Sequence, residues 1–333
     1  MPSKIGIDII SGEKSPQELF LALKAYSLEN PEDSFIVFID RETLSQGEGV
    51  YSSTNNIQII EVEDKISMED SPIKGVRKKK NSSIVKGLEF LKEKKIDFFF
   101  SPGNTGAIVY GAVETIGLLK NVDFPAIGVI IPNINGPVLL LDAGSSALID
   151  EDRGLILALM GKIFYENYFQ VANPAIGILN IGKEWYKGPK WVRKLDYRLK
   201  KENNMNYYGF VEGFDLVTSP CHIYVTGGYT GNILLKGLEG IYYFLKSYFK
   251  KSGQPGLTDV LKSNIHYSNT GTGIVLGLKE NIFIGHGITG GEALQNLLPF
   301  AKKVSRLNLP VKIESEIRNR RFFSKFLSKR REK

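Results

Sequence analysis

The side chains best suited to chemistry sit in glycine-bearing turns. The clearest is Ser101-Pro102-Gly103-Asn104-Thr105-Gly106-Ala107, which joins an apolar run at 96–100 to a helical pattern at 108–119. Gly103 and Gly106 let the backbone come close to a bound group, and Ser101, Asn104 and Thr105 add donors beside the free amides of a helix's first turn. A turn of this composition holds an anion, most simply phosphate; an ordinary capped βα turn uses the same residues. Related turns recur: Ser11-Gly12, Asp142-Ala143-Gly144, Asn180-Ile181-Gly182-Lys183, the stretch from Thr226 through Gly231 and Asn232, and Gly285-His286-Gly287. Lys183, Lys236 and His286 place cationic or imidazole groups in or near them. Convergent donors with few acids suit an anionic substrate, although parallel-sheet proteins need small residues in such turns anyway.

Several chemistries are excluded. Gly285-x-Gly287-x-x-Gly290 has the spacing of a dinucleotide fingerprint, but no acidic residue follows at a second strand end, where a ribose contact needs one. A phosphate-loop lysine motif is absent. Cys221 and His222 are neighbours in a strand-like run and so face opposite sides, which prevents a thiol–imidazole pair and points to core packing. No histidine or carboxylate spacing suits a metal, and a single cysteine excludes an intramolecular disulfide and agrees with a reducing compartment.

The elements that must position these turns alternate. Strand-like runs at 4–10, 35–39, 57–62, 96–100, 126–131, 137–141, 175–179, 207–211, 221–225, 273–278 and 281–284 are interleaved with helical patterns, the strongest at 16–26, 82–95, 108–119, 155–168, 233–249 and 292–304. Residues 126–131 and 137–141 form a hairpin or two adjacent strands, 41–56 stays unassigned, and the cation-rich 74–80 follows a loop and is expected to be a loop itself. Residues 184–206, in which aromatics interrupt a run of cations, look like an excursion from the sheet. Repeated βα alternation predicts an α/β fold with a largely parallel, helix-covered sheet and ligands beyond the carboxyl ends of its strands. One domain is expected over 1–305, with a tail over 306–333.

The chain has 333 residues, 42% of them hydrophobic, enough for a sizeable core and too apolar for disorder. Its net charge of +7 is local: residues 302–333 hold twelve Lys or Arg against three Glu, leaving the rest slightly negative. This argues against a nucleic-acid-binding body. Phe322, Phe323, Phe326 and Leu327 lie among the tail's cations at helical spacing, as in helices that bind anionic bilayers or acidic partners, or pack on their own domain. No apolar run is long enough to span a bilayer and no N-terminal signal region is seen, so a cytoplasmic protein is expected.

Taken in order, the segment from Ser67 to Pro72, the Arg77-to-Ser83 stretch, Gly103-Asn104-Thr105-Gly106-Ala107, Leu141-Asp142-x-Gly144, Leu179-Asn180-Ile181-Gly182, Gly231-Asn232 with Lys236, and His286-Gly287 resemble the bacterial phosphate acyltransferase family over about residues 3–300. The resemblance implies a three-layer α/β/α fold akin to isopropylmalate dehydrogenases and a homodimer. It also implies transfer of a fatty acyl group from acyl carrier protein to inorganic phosphate, giving acyl phosphate for phospholipid synthesis at the inner face of the membrane. Neither metal nor redox cofactor is implied, since phosphate held by amides and cations attacks the thioester directly. Ser101, Gly103, Asn104, Thr105 and Gly106 would hold phosphate. Asn180, Asn232, Lys236 and His286 would support the acyl phosphate or thioester oxygen, with Ser11, Gly12, Asp142, Gly144, Lys183, Gly231 and Gly287 as further substrate contacts. An acidic carrier protein would suit the basic stretch 74–80. The chain departs from the family pattern at Ser11, Glu13, Ser145, Ser146, Lys183, Pro189, Thr226 and the Thr270-Gly271-Thr272 stretch. Two alternatives therefore stay open: an acyl-CoA-using phosphate acyltransferase, and a catalytically impaired relative that binds a membrane surface or a partner.

Overall fold

The computed structural model describes residues 2–47, 49–146, 149–254, 256–257, 272–285 and 289–319. The chain divides into two compact units, residues 1–125 with 270–333, and residues 126–269.

The first unit opens with β1 (Lys4–Asp8), whose apolar residues are buried, followed by α1 (Pro16–Glu29), which Pro16 starts with its fixed φ. β2 (Ser34–Asp40), α2 (Arg41–Gln46) and β3 (Ile57–Val62) follow. The unassigned segment thus contains a six-residue helix, started by Asp40, whose carboxylate accepts the Thr43 amide at 2.7 Å. Next come α3 (Pro72–Lys78), α4 (Ser83–Lys92), β4 (Phe98–Ser101) and α5 (Thr105–Thr115). The end of the chain returns as a hairpin, β10 (Thr272–Leu276) with β11 (Asn281–Gly285), then α9 (Gly291–Ser305) and α10 (Leu309–Asn319). The strands lie in the order β3-β2-β1-β4-β11-β10, all parallel except β10, which runs against β11.

β4 is the centre of this unit. Its three phenylalanines are fully buried and alternate across the sheet. Phe99 faces α4, where Gly87 leaves room for its ring, while Phe98 meets Phe283, which in turn meets Phe300 of α9. With both faces covered, the strand ends are the open places.

In the second unit β5 (Ala126–Ile131) and β6 (Val138–Leu141) form an antiparallel pair, as the hairpin reading expected. β7 (Ile176–Leu179), β8 (Tyr207–Val211) and β9 (Ile223–Val225) complete the order β5-β6-β9-β7-β8, parallel from β6 onward. α6 (Glu151–Phe169) lies close on β6 and β9, because Gly161 lets it approach Ile223 and Leu141. α8 (Gly228–Lys251) follows β9.

Two expectations are corrected. The cation-rich 74–80 is not a loop: Pro72 starts α3, which buries Gly75 and Val76 and continues through Lys78. Two buried residues in a run of cations are too few to read as an amphipathic period. Residues 184–206 are not an excursion, because α7 (Lys190–Leu199) lies there between the parallel strands β7 and β8, where a parallel pair requires a crossover. Val192, Leu195 and Leu199 form its buried face, and Leu195 fills the space that Gly154 leaves on α6.

Candidate functional site

The Ser101 turn leaves β4 and enters α5, and most of its polar groups are spent on holding its own shape. Ser101 Oγ donates to Asp8 Oδ2 at 2.7 Å and accepts the Gly103 amide at 3.1 Å. Asp8 Oδ1 accepts the amides of Ile10 and Ser11, and Ser11 Oγ lies 2.9 Å from Ser83 Oγ. Asp8, Ser11, Ser83 and Ser101 are all buried. Burial pushes the Asp8 carboxyl up against the opposing pull of its hydrogen bonds, chiefly that from Ser101. Gly103 has to be glycine, since a Cβ there would stand 2.6 Å from the Cβ of Ser11. The β1 and β4 turns are thereby locked together.

Asn104 is the N-cap of α5. Its Oδ1 accepts the Ala107 amide at 3.1 Å, while its Nδ2 reaches the carbonyls of Ser67, Met68 and Asp70 at 3.3, 3.3 and 3.1 Å. It therefore clamps the loop that leads into α3. Gly106 lets Pro72 pack against α5, where a Cβ would come within 2.6 Å of the proline Cγ. Among the described residues the Thr105 amide and hydroxyl and the Gly106 amide stay unspent, at the N-terminus of an eleven-residue helix with no acid in its first turn. Gly12 lies in the neighbouring β1 turn and is partly exposed.

The other predicted residues, apart from His286 and Gly287, belong to the second unit. Asp142 organises its own turn: its carboxylate accepts the amides of Ile127, Gly144, Ser145 and Ser146 and the hydroxyls of Ser145 and Ser146, at 2.7–3.1 Å. Ser146 Oγ then accepts the Gly228 amide at the start of α8, so this loop is the cap of that helix. Gly231 lies in the first turns of α8, not in a preceding loop, and the backbone carbonyl of Asp142 fills the space where its Cβ would be. Asn232 is exposed and stands beside Gly144; Lys236, two-fifths to one-half exposed, pairs with Glu239 at 2.8 Å. Asn180 Nδ2 donates to the carbonyls of Gly182 and Lys187, and its Oδ1 is buried with no hydrogen-bond partner among the described residues. Lys183 pairs with Asp215 at 3.1 Å, which keeps its ammonium protonated above the usual lysine range. His286 and Gly287 lie outside the described residues.

Asp8 was not singled out in the sequence, where one aspartate at a strand end is unremarkable. Only its burial against three donors gives it a role. Cys221 is buried, donates weakly to carbonyls of Ala175 and Ile223, and burial pushes its thiol up to about 12, so it is a packing residue; His222 accepts the Ala175 amide. Among the described residues no group of three or more His, Cys, Asp or Glu could hold a metal ion, and no helix is long and apolar enough to cross a membrane.

The family described as Fatty acid synthesis protein matches residues 3–312. A relative in Thermoanaerobacter pseudethanolicus, named Phosphate acyltransferase, is 33% identical over 312 residues, covering 90% of this chain and 92% of its own. Another of the same name in Clostridium tetani is 32% identical over 330 residues, covering 95% and 98%. Among solved structures, a branched-chain phosphotransacylase from Enterococcus faecalis aligns with a TM-score of 0.60 at 15% identity, over 92% of this chain and 99% of that one. A 4-hydroxythreonine-4-phosphate dehydrogenase from Klebsiella pneumoniae aligns with a TM-score of 0.53 at 12% identity, over 92% and 98%. These likenesses share the α/β fold that the strand and helix order predicts. At one-third identity over nine-tenths of its length, this chain belongs to the Fatty acid synthesis protein family, together with those phosphate acyltransferases.

Proposed function

We propose that the protein transfers a fatty acyl group from the thioester of acyl carrier protein to inorganic phosphate. The observation that carries this is the start of α5, where the Thr105 and Gly106 amides and the Thr105 hydroxyl stay unspent while Asp8, Ser101, Gly103 and Asn104 hold the backbone around them. Phosphate binds at this N-terminus, where amide donors and the helix dipole favour an anion. One phosphate oxygen attacks the thioester carbonyl, the carbon–sulfur bond breaks, and the proton of hydrogen phosphate goes to the departing thiolate, leaving acyl phosphate and free carrier thiol. Positioning and charge stabilisation supply the rate. Ser101, Gly103 and Asn104 act as positioning residues.

The same proposal includes a homodimer and peripheral association with an anionic membrane surface at its cytoplasmic face. For the dimer, the support is the face of α8: Tyr229, Ile233, Ile241, Phe244 and Tyr248 are exposed along about a third of its circumference, and Gly237 and Gly240 lie open on the same stripe. For the membrane, the support is the basic, aromatic tail.

The test is to incubate purified protein with long-chain acyl carrier protein or acyl-CoA and labelled phosphate, trapping acyl phosphate with hydroxylamine. Product from the carrier thioester is expected. Product from acyl-CoA alone would move the donor assignment, and folded protein giving neither would refute both enzyme readings.

A further inference from the structure

The helix that the basic stretch forms leads away from the anion site. Pro72, its first residue, packs on Gly106, and the preceding loop is clamped by Asn104. Between Pro72 and Lys80 there are five cations and no acid. They are not equivalent. Lys79 turns back and is spent on Asp70 at 2.8 Å, which in turn accepts the Ser67 amide, so this ion pair braces the loop. Lys74, Arg77, Lys78 and Lys80 are exposed, and none makes an ion pair among the described residues. Arg77 is held in place by Tyr110 of α5, donating from Nε to the phenol oxygen at 3.1 Å. Arg77, Lys80 and Lys92 also line a surface groove between α3, α4 and α5, in which two of the acids, Glu89 and Glu93, already pair with Lys86 and Lys95.

The order along this element is an anion-binding helix start, then two half-exposed apolar side chains, Met68 and Ile73, then unpaired cations from Lys74 onward, spread over about 10 Å, the length of a seven-residue helix. We infer that α3 is the docking helix for an acidic protein that presents the acyl thioester on a flexible arm: the cations meet the protein, and the arm passes Met68 and Ile73 toward the Thr105 and Gly106 amides. This rests on the proposed acyl transfer to phosphate. Opposite charge on two surfaces raises the association rate and aligns the partners, and it weakens with salt as exposed charges are screened.

The inference is tested with the triple variant K74E/K78E/K80E, which leaves Arg77, Lys79 and every group at the α5 start in place. Binding of fluorescently labelled decanoyl carrier protein is measured by anisotropy at 50 mM and 300 mM salt. The wild type is expected to bind at least tenfold more tightly than the variant at low salt, with most of that difference gone at high salt. Turnover is then measured with decanoyl carrier protein, decanoyl-pantetheine, which has the arm without the protein, and decanoyl-CoA. A loss of tenfold or more in kcat/KM for the carrier, with decanoyl-pantetheine and decanoyl-CoA within about twofold of wild type, supports the docking role. Equal loss with all donors, or loss with decanoyl-CoA as large as with the carrier, overturns it, the second by showing that α3 reads a nucleotide phosphate. Unchanged carrier binding overturns it as well, whatever the turnover. Absence of turnover by the wild type with every donor refutes the acyl-transfer proposal instead, and the binding measurement still decides whether α3 recognises an acidic carrier.

Discussion

Asp8 sets the shape of the turns around the proposed phosphate site. Its carboxylate is fully buried, accepts two amides and the Ser101 hydroxyl, and is pushed up by burial. The folded protein therefore holds this proton more tightly than the unfolded chain does. Its contribution to stability falls as pH rises from the unfolded carboxylate value of about 3.9 toward the raised folded value. Asp8→Asn removes that slope and reverses the hydrogen bond to Ser101. Urea unfolding from pH 4 to pH 7 is expected to show wild type losing stability relative to the variant as pH rises, and the KM for phosphate is expected to rise about tenfold in the variant. Parallel unfolding curves across that range would place an ordinary carboxylate at this position. Asn104→Ala removes the α5 cap and three carbonyl contacts of the Ser67 loop, and is expected to cost about 2–3 kcal/mol in chemical denaturation. Asn104→Asp keeps the cap but turns an acceptor-only carboxylate oxygen onto those three carbonyls, so it is expected to cost at least as much.

Among the helices, α7 and α8 carry tasks that composition hides. α7 is the crossover from β7 to β8, and its Leu195 is fully buried against Gly154 of α6. Leu195→Ala is expected to destabilise by about 3 kcal/mol, measured by urea unfolding; a loss under about 1 kcal/mol would mean that 190–199 contributes little to the core. α8 begins at Gly228, earlier than a glycine-rich turn suggests, because Ser146 caps it and Gly231 admits the Asp142 backbone. The exposed stripe further along the same helix is where self-association is proposed. Phe244→Asp puts a charge in its centre and is expected to halve the mass measured by light scattering while leaving the circular dichroism unchanged. A dimer of unchanged stability would remove α8 from that role.

For the whole molecule, charge divides the chain more sharply than fold does. Residues 320–333 hold seven cations and one acid, whereas α10 just before them buries Leu309, Ile313 and Ile317. A truncation that tests the tail therefore belongs after Asn319, since an earlier cut would expose apolar core. The shortened protein is expected to lose most of its sedimentation with anionic vesicles, with wild-type binding falling steeply between 50 mM and 500 mM salt. Equal, salt-insensitive binding by both forms would remove the tail from membrane association.

The sequence by itself determined the α/β alternation, the two neighbouring strands that became β5 and β6, and the family, and it singled out the Ser101 turn. Each of these is written in local periodicity or in an ordered run of short motifs. The helices α3 and α7 were not legible, because their buried residues are few and lie among cations that exposed loops also favour. Nor could residue types separate the groups that face a ligand from those that hold the turn. Ser101, Gly103, Asn104 and Asp142 all read as ligand contacts, yet their hydrogen bonds are spent within the protein. Asp8, which organises two turns at once, carried no signal at all. Which donor is spent depends on partners distant along the chain, such as Asp8 and Ser101, that only the register of β1 beside β4 brings together. That is why the tertiary structure, and not the motif, narrowed the proposed phosphate contacts to Thr105 and Gly106.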